Sequence, residues 1–353
     1  MHSHPSPHPR RPWKRFLLAP AILALIGIPD LANTQDSTQQ DSSHRLHVAV
    51  LQTNNFVVGP GALPSGFFRW EGDTTWTHMG WKKSRHNGIS FNPDDTQTMF
   101  LACGNGVFRT TDGGLSFKIV TSWDVTEVQD ITVDSATPTT LHIATAYGIW
   151  RSTDNGDTWT ETNSQIPAMR RFAQTIHADY GQGGHVIAGG EHGILRTTDG
   201  GNTWGFVVSD VAIRDIQQSR SNPDLWLAGT EDKGVWISRD RGATWTAATG
   251  AIASETIYTV AVDPNNADRM VAGGYQTGVY VSTNGGQSWT KNISGLPNLN
   301  FHGLIIEMDG SGRIWAGSVG NGVFYSDNDG RNWTYAGLKG SEIWDMEMIG
   351  GRQ

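Results

Sequence analysis

Six segments of this chain run through one short pattern: Ser or Thr, then Asp or Asn, then Gly, then a small polar residue, then an aromatic. They occupy residues 110–117 (TTDGGLSF), 152–159 (STDNGDTW), 197–204 (TTDGGNTW), 238–245 (SRDRGATW), 282–289 (STNGGQSW) and 326–333 (SDNDGRNW). The closing aromatics Phe117, Trp159, Trp204, Trp245, Trp289 and Trp333 recur every 41–45 residues. A worn seventh copy, residues 66–76, puts Trp76 in phase, 41 residues before Phe117. A fixed period of this size means an array of equivalent small units that bury apolar surface only against each other, so the repeat decides the fold.

One unit shows how. Residues 128–133 and 141–146 read as strands separated by a turn, a third strand at 149–151 follows Gly148, and the repeated segment leads into an outer strand at 159–161. Later units repeat the schedule, with second strands at 185–189, 225–229, 270–274 and 313–317. Four short strands per repeat is one propeller blade. The 43 Gly, the 15 Trp and a charged fraction of only 17% suit short strands, tight turns and an aromatic core. Residues 341–349 read as an inner strand with nothing after it, and 46–50, 66–69 and 75–78 as three strands with no inner strand before them. The expected fold is therefore all-β: a single seven-bladed propeller over residues 45–353, closed by the C-terminal strand joining the N-terminal blade. Closure leaves no sheet edge for another chain, and a monomer is expected.

The repeated segment resembles the Asp box, or bacterial neuraminidase repeat, with the pattern Ser/Thr-x-Asp-x-Gly-x-Ser/Thr-Trp. Phe117, Asn284, Asn328 and Asn332 are departures from it. The resemblance covers about residues 45–350 and implies a β-propeller. Its superfamily includes sialidases, xyloglucan-processing endoglucanases, sortilin-type receptors and photosystem II assembly propellers. The blades look closest to the xyloglucan enzymes and the assembly propellers. Sialidases use six blades, an Arg-Ile-Pro motif and an arginine triad, and no Arg-Ile-Pro occurs here. The xyloglucan enzymes hold substrate between two tandem propellers, and a single propeller is read here, so their catalytic pair does not carry over.

The box chemistry reads as structural. Oxygens of Asp112, Asp154, Asp199, Asp240, Asn284 and Asn328 accept hydrogen bonds from turn amides, and Gly supplies the positive φ. The closing ring is expected to be buried between blades. Its loss should cost about 3–5 kcal/mol, against about 0.5–1.5 kcal/mol for each turn hydrogen bond.

Function must then come from positions that differ between blades. Just inside the start of each inner strand stand Asn87, Gln129, Gln174, Arg214, Tyr258, His302 and Trp344. Purely structural positions would repeat one residue type, and these do not. Asp130, Asp215 and Asp345 follow one position on. Loops of the same face add Glu191, His192, Glu231, Asp232, Lys233, Tyr275 and Gln276, with Arg85-His86 and Arg170-Arg171 entering from preceding loops. Trp344 and Tyr258 offer stacking faces, and Arg214 and His302 offer donors. Asp215 with Glu231 or Asp345, and His302 beside them, are the candidate acid/base groups for glycosidic cleavage. The alternative is that these charges only solvate a channel mouth and pair with one another.

The chain has a formal charge of −8, and its N-terminal 34 residues hold Arg10, Arg11, Lys14 and Arg15 against Asp30, so the remainder is more acidic still. That argues against nucleic acid or an anionic membrane as partner. Residues 16–28 form an apolar run too short for a comfortable bilayer span. Residues 1–34 therefore read as a signal peptide, with an uncleaved anchor as the alternative, and 35–44 as a disordered linker. The protein is expected to be exported, periplasmic or secreted, with no stable membrane span after processing. The lone Cys103 forms no internal disulfide and reads as a buried thiol. No spacing suggests a metal site, and no cofactor is expected. Two functions remain: a carbohydrate-active propeller that binds and cleaves a glycan at the mouth, as a hydrolase rather than a lyase, or a non-catalytic propeller that holds a protein partner.

Overall fold

The computed structural model describes residues 44–52, 65–82 and 85–350. The expected signal peptide and linker lie outside the described residues, apart from His44, with which the first strand begins.

Seven four-stranded antiparallel sheets form the ring. Blade I is built from both ends of the chain: its inner strand Ser341–Gly350 pairs with His44–Gln52, which pairs with Gly66–Gly72 and then Thr75–Met79. The expected one-plus-three closure is thus present. The inner strands of blades II to VII are His86–Asn92, Val128–Val133, Thr175–Ala178, Ile213–Gln218, Thr256–Asp263 and Phe301–Ile306. Strand limits differ from the sequence reading by a residue or so in most blades. In blade III the outer strand is only Thr160–Glu161.

Second strands are the most enclosed elements. Leu141–Thr145, Val186–Gly190, Trp226–Thr230 and Ile314–Ser318 are buried at every position. A strand covered on both faces loses the apolar/polar alternation of a half-wet one, which is why these read as continuous apolar runs. Glycines let the next blade close in. A Cβ on Gly189 would stand 2.4 Å from Ile213, and one on Gly317 2.6 Å from Ile343.

The core is not central. It is seven separate apolar clusters, one at each blade-to-blade contact, and each takes in one closing aromatic. Trp76 sits between blades VII and I, Phe117 between I and II, and Trp159 between II and III. Trp204, Trp245, Trp289 and Trp333 follow around the ring. The worn first copy performs the same task as the others, since Trp76 Nε1 donates to Ala336 O of blade VII at 2.7 Å. Burial is less complete than the sequence suggests. Trp204 and Trp333 are buried, whereas Phe117, Trp159, Trp245 and Trp289 keep one edge half-exposed at the rim of the contact.

The boxes repeat one hydrogen-bond set. In residues 152–159, Asp154 Oδ1 accepts from Thr158 N (2.8 Å) and Ser152 Oγ (2.7 Å), Asp154 Oδ2 accepts from Thr158 Oγ1 (2.6 Å), and Gly156 N donates to Ser152 Oγ (2.8 Å). These bonds hold Asp112, Asp154 and Asp199 down at about 2. The amide of Asn284 reproduces the set with one bond reversed, as its Nδ2 donates to Ser288 Oγ at 2.8 Å. Asn328 Oδ1 accepts from Asn332 N at 3.0 Å. Replacing Asp with Asn therefore keeps the turn.

The interfaces, not the turns, should set stability. Trp204→Ala is expected to lose about 3–5 kcal/mol in urea unfolding, and Asp199→Asn about 1 kcal/mol or less. Equal losses would contradict this ranking.

Candidate functional site

Antiparallel order puts the loops entering each inner strand and the loops between second and third strands on one face, here called upper. The Asp boxes lie on the lower face. All seven inner strands line a central channel with a cavity volume of about 810 Å³.

The residues at its upper mouth are where they are because the inner strands bulge. In blade V, Ile213 faces Thr230 and Asp215 faces Gly229, which leaves Arg214 as the extra residue. The same slip leaves out Trp344 in blade I, Asn87 in II, Gln129 in III, Tyr258 in VI and His302 in VII. Gln174 of blade IV stands just before its strand begins at Thr175. A bulge breaks the ladder for one residue and re-aims its side chain, and all seven of these residues line the cavity. The variable set found in the sequence is therefore a set of bulge residues. Their spacing was legible, but the bulge was not, because no special residue marks it.

Three of the seven form an aromatic ladder capped by a cation. Tyr258 and His302 have ring centroids 5.0 Å apart, and His302 and Trp344 4.8 Å. The Arg85 guanidinium lies 4.7 Å over the Trp344 ring. On the amide side, Asn87 Nδ2 donates to Val128 O (2.8 Å), and Gln129 Nε2 to Glu127 O (2.9 Å). Arg214 is bonded to Glu231 and stands 3.8 Å from Glu191. Three buried nitrogens at this mouth have no hydrogen-bond partner: Trp344 Nε1, His302 Nδ1 and Arg214 Nε. His302 Nδ1 does lie 3.3 Å from Glu342 Oε1, close enough for an ion pair when protonated but without hydrogen-bond alignment. Trp344 Nε1 and Arg214 Nε can only donate, whereas the role of His302 Nδ1 depends on its tautomer, and an unpaired buried donor is costly.

One step down the channel stand the aspartates, each tied to the following blade. Asp345 Oδ2 accepts from Ile89 N (2.7 Å), Asp130 Oδ2 from Ile176 N (2.9 Å) and Asp215 Oδ2 from Val260 N (2.8 Å). Thr259 does the same job in blade VI, its Oγ1 accepting from Leu304 N at 3.0 Å. Enclosure pushes Asp215 up to about 6 and Asp130 up to about 7. Asp345 is raised well above its usual range by enclosure and by the charges of Asp130 and Glu347. Glu347, two residues along the same strand, rises to about 7 through enclosure. Sequence reading passed over Glu347, although period-two alternation from Asp345 puts it on the same face. It also passed over Arg220, whose guanidinium lies 4.1 Å over Tyr180 at the lower end of the channel.

Not every candidate residue comes together. Glu191, His192, Glu231 and Tyr275 stand on the upper face outside the cavity lining. Glu231 is engaged by Arg214, and His192 Nε2 contacts Met169 O at 2.8 Å. Asp215 has both oxygens occupied, the second by Gln217 Nε2 at 3.1 Å. Elsewhere His185 pairs with Asp179 at 2.8 Å, and Cys103 is buried with His86 Nδ1 2.9 Å from its sulfur. Among the described residues no three His, Cys, Asp or Glu side chains are grouped to hold a metal ion, and no helix is long and apolar enough to cross a membrane.

Fold and mouth together define a seven-bladed β-propeller whose blade turns resemble the Asp box. Residues 280–291 match the BNR/Asp-box repeat family. Among solved structures the chain is similar to a GH74 enzyme of Niastella koreensis (TM-score 0.67, 20% identity, covering 78% of this chain and 51% of that one). It is also similar to the GH74 xyloglucanase of Xanthomonas campestris (TM-score 0.59, 15% identity, covering 76% and 46%). A third likeness is to YCF48 bound to D1 peptide (TM-score 0.57, 15% identity, covering 78% of this chain and 96% of that one). The chain spans about half the length of these GH74 enzymes. No curated protein matches the sequence.

The channel acids make a pH prediction. An acid whose folded pKa is raised destabilises the fold progressively as pH climbs from the unfolded value, about 4, to the folded one, and contributes nothing below that window. Replacing Glu347, raised to about 7, removes this penalty. Between pH 4 and pH 8 the melting temperature of Glu347→Gln should therefore gain on that of the parent by about 2–4 °C. A constant difference across that range would contradict the assignment.

Proposed function

We propose that this chain is an exported glycan-binding propeller that takes a sugar chain at its upper mouth. The observation that carries the reading is the bulged ring itself, which brings a Tyr258–His302–Trp344 ladder, three side-chain amides and three unpaired buried nitrogens around one cavity. Aromatic faces suit the apolar faces of sugar rings, and fixed N–H donors suit hydroxyl oxygens. A cavity of about 810 Å³ falls within the usual range for small-ligand sites. The likeness to GH74 enzymes supports a sugar ligand.

Cleavage is the finer part of the proposal. Asp215, raised to about 6, would keep its proton in mildly acidic medium and serve as general acid once its bonds from Val260 N and Gln217 Nε2 open, with Asp345 as the second carboxyl on the cavity lining. Products heavier by one water would identify a hydrolase, and an unsaturated end a lyase. The experiment is mass spectrometry of pooled plant and microbial oligosaccharides after incubation with the protein. Asp215→Asn is expected to abolish turnover while retaining binding. Trp344→Ala is expected to weaken binding about tenfold or more, corresponding to the loss of roughly 1.4 kcal/mol. Full turnover in Asp215→Asn would remove that residue from the chemistry.

A second reading has its own support. The likeness to YCF48 covers 96% of that chain, and the upper face exposes Trp123 (90%), Met169 (87%) and Tyr147 (66%). A protein partner held on that face would co-purify with the protein and would be lost on Trp123→Ala, with no dependence on Trp344.

A further inference from the structure

The glycan reading leaves the charge class of the ligand open, and the channel beneath the mouth bears on it. Four carboxyl groups, Asp130, Asp215, Asp345 and Glu347, come from three of the seven inner strands and all line the cavity. The remaining strands offer only uncharged groups at this level: Gly88 in blade II, Thr175 in IV, Thr259 in VI and Gly303 in VII. The three aspartates are close enough to act on one another electrostatically, Asp130 with Asp215 and Asp345 with Asp130 and Glu347.

Three guanidiniums also line the cavity, and each is held at an end of the channel. Arg85 lies over Trp344 at the upper mouth with its Nε bonded to Asn87 Oδ1 at 3.0 Å. Arg214 is taken by Glu231, with Glu191 next to it. Arg220 lies over Tyr180 at the lower end, where its charge acts on Glu347. His177, also on the lining, is kept neutral by its enclosure, which lowers it to about 3. His302 faces Glu342 at the rim. No cation therefore stands among the three aspartates.

We infer that the mouth selects sugar chains by charge, accepting uncharged and amine-bearing glycans and rejecting those that carry carboxylates. The inference rests on the glycan reading of the mouth. A carboxylate-bearing ring seated on the Trp344–His302 ladder would stand at the mouth of the cavity that Asp345, Asp130 and Asp215 line, and like charges facing each other there repel. An uncharged ring meets no such penalty, and an ammonium group gains from the same field. The raised proton affinity of Asp345 is consistent with this, since beside enclosure it registers the charges of Asp130 and Glu347.

The test uses an end-labelled oligosaccharide pool divided by ion exchange into uncharged, amine-bearing and carboxylate-bearing fractions. Each fraction is titrated against the purified protein at pH 8 and moderate salt. Uncharged and amine-bearing fractions should bind at least tenfold more tightly than the carboxylate-bearing one. The ratio should narrow several-fold in Asp130→Asn and in Glu347→Gln, two variants read separately so that misfolding of one leaves the other informative. Preferential binding of the carboxylate-bearing fraction, or a ratio unmoved in both folded variants, overturns the charge selection while leaving the mouth as a glycan site. Failure of every fraction to bind overturns the glycan reading and this inference with it.

Discussion

Each blade of this ring is held to its predecessor by a cluster of apolar side chains that takes in one aromatic from the end of an Asp box, and everything else in the structure is arranged around those seven contacts. A four-stranded sheet of this size has two faces to cover and no core of its own. Stacking it on a neighbour covers both, which is why the second strands of blades III, IV, V and VII are buried at every position and why glycines such as Gly189 and Gly317 stand where the next inner strand passes. Pairing Ser341–Gly350 with His44–Gln52 completes the seventh sheet and closes the ring. Aromatic packing accounts for the retention of Trp76 in a segment whose Asp box has otherwise decayed.

Because the interfaces hold the ring, the inner strands are free to differ at their upper ends. Six of the seven slip register at the same point, so that one residue per strand leaves the ladder and faces the channel. The carboxylates that follow the bulge in blades I, III and V bind the backbone of the next blade. That gives Asp345, Asp130 and Asp215 a structural part beside any chemical one. It also explains why charge is tolerated so deep in the ring: each aspartate accepts a main-chain hydrogen bond, and enclosure raises its proton affinity instead of unfolding the strand.

Much of this was legible from the chain alone, for physical reasons that differ by level. Periodic Gly and Trp reveal the blade because turn and interface requirements recur in every copy. Ring closure was readable because 341–349 reads as an inner strand, and 46–50, 66–69 and 75–78 read as the three strands that complete its blade. The mouth residues were found by comparing blades, as Arg214, Tyr258, His302 and Trp344 break a repeat that sterics would otherwise keep uniform. What sequence spacing could not supply was contact across blades. It did not disclose that His302 stacks between Tyr258 and Trp344, or that Asp130 and Asp345 share one electrostatic environment. These contacts join residues far apart in the chain, and only the closed ring brings them together.

The account turns on the upper mouth as the place where a ligand is held. Hydrogen–deuterium exchange of the protein with and without a bound oligosaccharide fraction measures this directly. Protection is predicted in the peptides that begin the inner strands, those containing Asn87, Gln129, Gln174, Arg214, Tyr258, His302 and Trp344, with the Asp-box turns unchanged. Protection confined to the Asp-box face, or to the outer strands, would contradict it.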